Sequence, residues 1–126
     1  MLLKAKVIPK DELTRASKEI ETFMKRDYGR IYRLSGAFIE GFPFDDKPVT
    51  RAYIAITEAI DMLPKEAQII INDRYIEPIS VYEVMDKLNV GKTKYYRLKK
   101  IACYMFAKCL EKTCIQERLN YQEIIN

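Results

Sequence analysis

The sequence predicts an all-α chain: a long N-terminal helix, a linker, and a C-terminal helical domain that contains a helix-turn-helix. Three observations carry this expectation. Apolar residues recur at steps of three and four through most of the 126 residues, which is the period of a helix burying one face. Only 4 Gly and 5 Pro are present, and most of them stand between the periodic stretches. Residues suited to helix starts (Pro9, Thr50, Pro64 and Ser80) precede those stretches. The expected divisions are an N-terminal helical element over 1–35, a linker over 36–49 and a helical domain over 50–126.

Residues 1–8 form a short apolar and basic segment that frays or pairs with a partner. A helix is expected from Pro9, where a proline costs little and Asp11 and Glu12 suit the positive end of the dipole. Leu13, Ala16, Ile20, Phe23 or Met24, Tyr28, Ile31 and Leu34 follow at nearly the helical period. Gly29 interrupts the run and predicts a bend or break. So long a helix either dimerises or folds back on its own core, and the sequence leaves both open. Ser35-Gly36 ends it. The next dozen residues hold two prolines, a glycine and the Asp45-Asp46 pair, a composition that predicts a loop or linker. Phe38, Phe42 and Phe44 set it apart from a free tether, since such rings normally pack. With no histidine in the chain and no third ligand nearby, Asp45-Asp46 reads as a solvated turn.

Thr50 is the expected cap of the next helix, with Ala52, Ile56, Ala59, Ile60 and Leu63 as its apolar stripe. Pro64 opens another, closed before Pro78, whose Ile69-Ile70-Ile71 is too wide a face for a surface helix. The most informative stretch runs from Ile79 to Leu110. Ser80 is a good N-cap, with Glu83 three residues on to make a capping box. Val81, Val84, Met85 and Leu88 share one face. Asn89-Val90-Gly91 then breaks the pattern: Asn89 tolerates the left-handed conformation that ends a helix, and Gly91 is a weak N-cap. In the following helix Tyr95, Leu98, Ala102, Met105 and Cys109 are expected inside, opposite Lys92, Lys94, Tyr96, Arg97, Lys99 and Lys100. A short helix, a tight turn with an apolar residue in its middle, and a basic second helix make a helix-turn-helix. After Leu110 the charges alternate through Glu111, Lys112, Glu117 and Arg118, and the tail from Leu119 to Asn126 extends the last helix or frays.

Hydrophobic residues make up 48% and charged residues 32% of the chain, a composition of folded protein rather than disorder. No run of about 18 apolar residues exists, which excludes a transmembrane helix, and the apolar region within residues 1–9 is too short for a secretory signal. A cytoplasmic protein without membrane contact is expected. The net charge is +4, unevenly placed. Residues 1–86 carry 13 Lys and Arg against 15 Asp and Glu, a net of −2, whereas residues 87–126 carry 9 against 3, a net of +6. Positive charge therefore gathers on and after the second helix of the motif, where a polyanion-binding element would need it; a solvated basic face is the plainer alternative. Cys103, Cys109 and Cys114 lack a zinc spacing and read as free thiols, Cys109 as a core residue. With no histidine, no phosphate-binding loop and no paired catalytic carboxylates, neither an enzyme nor a metal or other cofactor is expected. Gly91-Lys92-Thr93 echoes the end of a phosphate-loop motif by accident, because the upstream glycine is missing and the preceding segment is helical.

The span from Leu63 to Leu110 resembles region four of bacterial sigma factors, with a Leu63-Pro64 helix start, an apolar helix ending in Arg74-Tyr75, and a helix-turn-helix from Ser80. The segment Leu88-Asn89-Val90-Gly91-Lys92-Thr93-Lys94-Tyr95-Tyr96-Arg97-Leu98-Lys99-Lys100, followed by an apolar run with Phe106-Ala107, is similar to the ArpU (autolysin regulatory protein) family of phage-encoded transcriptional regulators from Gram-positive bacteria. That resemblance implies a DNA-binding activator of phage late genes. The sequence departs from the usual motif at Met85, where a small alanine is common, at Asn89 for the turn glycine, and at Gly91 for a Ser or Thr cap.

A recognition helix meets base edges with its first turns. On that geometry Arg97 and Lys94 are expected to bond guanine, Thr93 and Tyr96 to make shorter contacts, and Lys92 to lie outward beside them. Lys99 and Lys100 are expected nearer the phosphates, as are the amides around Ser80 and Val81, with Tyr82 assisting. Tyr95 is expected in the core. The expected partner is double-stranded DNA, bound at a promoter by a homodimer; RNA polymerase is a further candidate partner, and the sequence leaves open the oligomeric state, activation or repression, and contact with RNA polymerase. A small terminase-like packaging protein and an adaptor binding RNA polymerase or a repressor are the alternatives.

Overall fold

The chain folds around the helix that the basic turns begin. The computed structural model describes residues 8–37 and 46–126, and among these all regular structure is helical. Helix α1 (Lys10–Phe23) starts directly after Pro9, with Asp11 and Glu12 in its first turn. A π-helical turn over Met24–Tyr28 joins it without a break to α2 (Gly29–Ser35). A π turn holds one residue more than an α turn, so the inward face shifts phase there. Phe23 and Met24 are consequently both buried, and beyond Ile31 the inward residue is Ser35. Leu34, expected inside, is 55% exposed.

Gly29 neither bends nor breaks the helix; it has helical angles of φ −60 and ψ −40. Nothing lies within 4 Å of the position its Cβ would take. Gly29→Ala is therefore expected to stabilise the protein by about 1 kcal/mol, seen as a higher denaturation midpoint at unchanged slope. The helix stops at Gly36, whose φ of 76 is left-handed, and Ser35 Oγ accepts from the amide of Ala37 at 3.2 Å.

Helix α3 (Pro48–Asp61) begins two residues before the expected cap. Proline lacks an amide hydrogen and has a helical φ, so it fits the first helical position. Thr50 is accordingly no cap: it lies inside the first turn and is fully buried. The stripe of Ala52, Ile56, Ala59, Ile60 and Leu63 is buried as its spacing requires, joined by Ala55. The side chain of Gln68 closes α3, its Nε2 donating to the carbonyl of Ile60 at 3.0 Å. Helix α4 (Lys65–Ile71) follows Pro64 and runs into a second π turn over Asn72–Ile76. Ile70 and Ile71 are fully buried there, with Ile69 half-buried.

Helices α5 (Val81–Leu88) and α6 (Lys92–Gln116) complete the predicted motif. Helix α6 is the centre of the fold and packs against α1, α3, α4 and the short α7 (Tyr121–Ile125). Tyr95, Leu98 and Ala102 point inward, but further on the buried positions are Phe106, Leu110 and Cys114. Met105 and Cys109, expected inside, are only half-buried. Alternating steps of three and four average 3.5 residues, whereas a straight helix turns every 3.6, a drift of about 20° per seven residues. Along 25 residues that drift carries the seam from one side of the helix to another.

The tail neither extends α6 nor frays. Arg118 takes a left-handed φ of 59, the amide of Leu119 donates to the carbonyl of Cys114 at 2.8 Å, and α7 returns to bury Ile125. One hydrophobic cluster reaches from Leu13 to Ile125 and includes side chains of every helix. The described part of the N-terminal element thus folds back on the core of its own chain. The readings for residues 1–7, and those for Phe38, Phe42, Phe44 and Asp45 in the linker, lie outside the described residues. Asp46 accepts from Arg118 at 2.9 Å. No helix among the described residues is long and apolar enough to cross a membrane.

Candidate nucleic-acid interface

The motif is built from local hydrogen bonds and one apolar seam. Ser80 Oγ accepts from the amide of Glu83 at 3.2 Å and donates to its carboxylate at 3.1 Å, which starts α5. Asn89 ends it in the left-handed region, with φ 54 and ψ 51. The amides of Val90 and Asn89 then donate to the carbonyls of Met85 and Asp86, both at 3.1 Å. This pair of bonds closes a helix whose last residue is left-handed. Gly91 is extended and supplies no side-chain cap to α6. Val84, Tyr95 and Leu98 are fully buried, and Met85, Leu88 and Val90 pack half-buried beside them. Met85 is half-buried beside the fully buried Val84, so the bulky residue lies toward the edge of the inward face of α5.

The opposite face of α6 opens to solvent. Lys92, Thr93, Lys94, Tyr96 and Arg97 are all exposed, and Ser80 and Tyr82 of α5 are exposed as well. Tyr96 is 42% exposed, and its ring meets the buried ring of Tyr95 edge-on at 5.0 Å. Among the described residues no ion pair involves Lys92, Lys94 or Arg97. By contrast Lys87 of α5 is held by Asp73 at 2.8 Å, which fastens the back of the motif to the turn after α4. The cations at the start of α6 are therefore free to meet an anion, and their helix is anchored from below.

Lys99 does not belong with them. Its Nζ lies 2.6 Å from Glu21 Oε1 of α1, and its side chain is only 13% exposed. The same carboxylate oxygen accepts from the Tyr75 hydroxyl at 3.2 Å, and that hydroxyl stands 4.0 Å from Cys103 Sγ. Lys99 thus serves a polar cluster between α1, the turn after α4, and α6, and its expected phosphate contact is corrected. Lys100 is half-buried and leans the same way, its Nζ donating to Thr14 Oγ1 at 3.4 Å. Sequence reasoning missed Glu21, because its partner stands 78 residues away.

Burial works against the charge of Glu21, but the hydrogen bond and charge of Lys99, with Lys25 and Tyr75, outweigh it and hold its carboxyl below the usual range. A carboxyl with a depressed folded-state value contributes stability above its unfolded value, lost as the pH falls through the folded one. Glu21→Gln is therefore expected to lower stability at neutral pH and to flatten the fall on acidification, measured by urea midpoints from neutral pH down through the carboxylate range. Burial pushes the Cys103 and Cys114 thiols up to about 11. All three cysteines are free, and at neutral pH Cys103 and Cys114 remain protonated. Among the described residues no group of three or more His, Cys, Asp or Glu side chains comes together to hold a metal ion.

The family described as "Protein of unknown function (DUF1492)" matches residues 45–107, half of the chain. The chain belongs to the DUF1492 family. The DUF1492 span takes in α3, α4, α5 and the first sixteen residues of α6, hence the whole helix-turn-helix with its outward cations. Helices α1, α2 and α7 lie outside it. Comparison with curated proteins and with solved structures finds no match.

Proposed function

We propose that this protein is a sequence-specific regulator of transcription that lays the start of α6 in the major groove of double-stranded DNA. The observation that carries this reading is the separation of roles along α6. Its first turns present Lys92, Thr93, Lys94, Tyr96 and Arg97 to solvent, while Tyr95 and Leu98 seat the same turns in the core. A major groove admits one helix, and cations with hydrogen-bonding forks on its leading turns meet base edges there. Arg97 and Lys94 are the guanine readers in this reading; Ser80, Tyr82, Lys92 and Lys100 position the duplex through its phosphates. The resemblance to the ArpU family extends the proposal to activation of phage late genes in a host bacterial cytoplasm. A homodimer belongs to the proposal because one short motif seldom gives enough specificity, and RNA polymerase is a candidate partner.

Selection of bound sequences from a random duplex pool tests the proposal. Enrichment of one motif supports a regulator. Binding without enrichment replaces it with a packaging role of the small-terminase kind, and no binding at low salt replaces it with a protein adaptor.

A further inference from the structure

We propose that the first half of α1 is a second DNA-contacting element, a phosphate clamp beside the recognition helix; this rests on reading α6 as that helix. Thr93, Arg97 and Lys100 stand at steps of four and three, so they share one stripe of α6. Lys100 follows Arg97 by about 4.5 Å along the axis, at about 1.5 Å per residue. The stripe ends against α1, where Lys100 Nζ meets Thr14 Oγ1 at 3.4 Å.

On α1 the residues four before and four after Thr14 are Lys10 and Lys18, which therefore flank it on the same face. Both are exposed, as is Thr14. Lys10, Asp11, Thr14, Arg15 and Lys18 together line one shallow open surface, with three cations against one carboxylate. Beyond it, Glu21 is already neutralised by Lys99. The positive charge that Lys99 withdraws from the DNA-facing surface is thus restored by Lys10 and Lys18, one helix further out. A duplex holding the start of α6 in its groove brings the flanking sugar-phosphate strand toward the far end of the stripe, and that is where α1 presents its lysines. Such contacts add affinity without reading sequence.

The test is a salt titration of the double variant Lys10→Gln/Lys18→Gln beside wild type, on the selected duplex and on a random one. Each neutralised phosphate contributes about 0.9 to the slope of log affinity against log salt. The slope is expected to shrink by about 1.8 on both duplexes, so that the gap between wild type and variant narrows about twelvefold from 50 to 200 mM salt. Lysine and glutamine have similar helix propensity, and an unchanged thermal transition confirms the fold. Thr14→Glu, which sets a carboxylate between the two lysines, is expected to weaken both duplexes likewise. A wild type that binds DNA with variants of unchanged slope overturns the clamp and leaves the recognition helix standing. A loss confined to the selected duplex also overturns it, by making these lysines base readers. No binding by wild type removes both proposals together.

Discussion

Phe106→Ala is expected to lower the free energy of unfolding by about 3–5 kcal/mol, the largest effect of any substitution named for this chain. Phe106 is fully buried on α6, the helix on which α1, α3, α4 and α7 converge. Truncating the ring removes its transfer energy and leaves a cavity that helices anchored on several sides cannot close. Against a total of about 5–15 kcal/mol for a typical domain, a loss of this size populates unfolded chain. Urea denaturation followed by circular dichroism and by tyrosine fluorescence checks it: both midpoints fall together at unchanged slope. A smaller loss, or midpoints that separate, would show that α6 is not the common strut. The same expectation bears on function. One continuous helix is both the centre of the core and the proposed reading head, so the fraction of variant that remains folded should select the same DNA.

Arg97→Ala is expected to have the opposite profile. Arg97 is exposed, in the second turn of α6 and without an ion-pair partner among the described residues. Alanine is the better helix former, so stability should hold. Binding to the selected duplex should weaken by about 1–3 kcal/mol, the worth of one good bidentate contact to a base, while binding to random DNA stays nearly the same. Lys100→Ala provides the contrast, with similar losses on both duplexes and a flatter salt dependence. Equal losses on cognate and random DNA for Arg97→Ala would take it out of the base-reading set.

The two sides of the candidate interface differ in how legible they are. Ser80, Asn89, Val90 and Tyr95 can be assigned from the residues alone, because each role depends on neighbours a few positions away. The serine oxygen reaches an amide three residues on, and asparagine tolerates the left-handed region that closes α5. The exposed Lys92, Thr93, Lys94, Tyr96 and Arg97 then follow from the burial of Tyr95 and Leu98, since helix geometry assigns the remaining directions. Lys99 could not be placed in this way. Its position on the basic face is correct in projection, yet Glu21 approaches from a helix near the other end of the chain and takes the charge out of circulation.

By itself the sequence determined that this chain is all-α, where α4, α5 and α6 begin, and that a left-handed asparagine separates the last two. Helix period and capping are properties of adjacent residues, and they survive any tertiary arrangement. Only the tertiary structure decided that the N-terminal helix shares a core with α6, that a π turn puts Ser35 rather than Leu34 inside, and that the buried seam of α6 moves from Tyr95 and Leu98 to Phe106 and Leu110. Each of these depends on which helix covers which side. That is settled by packing among segments far apart in the chain, where apolar surface is buried wherever a neighbour offers it, and not by any spacing within one helix.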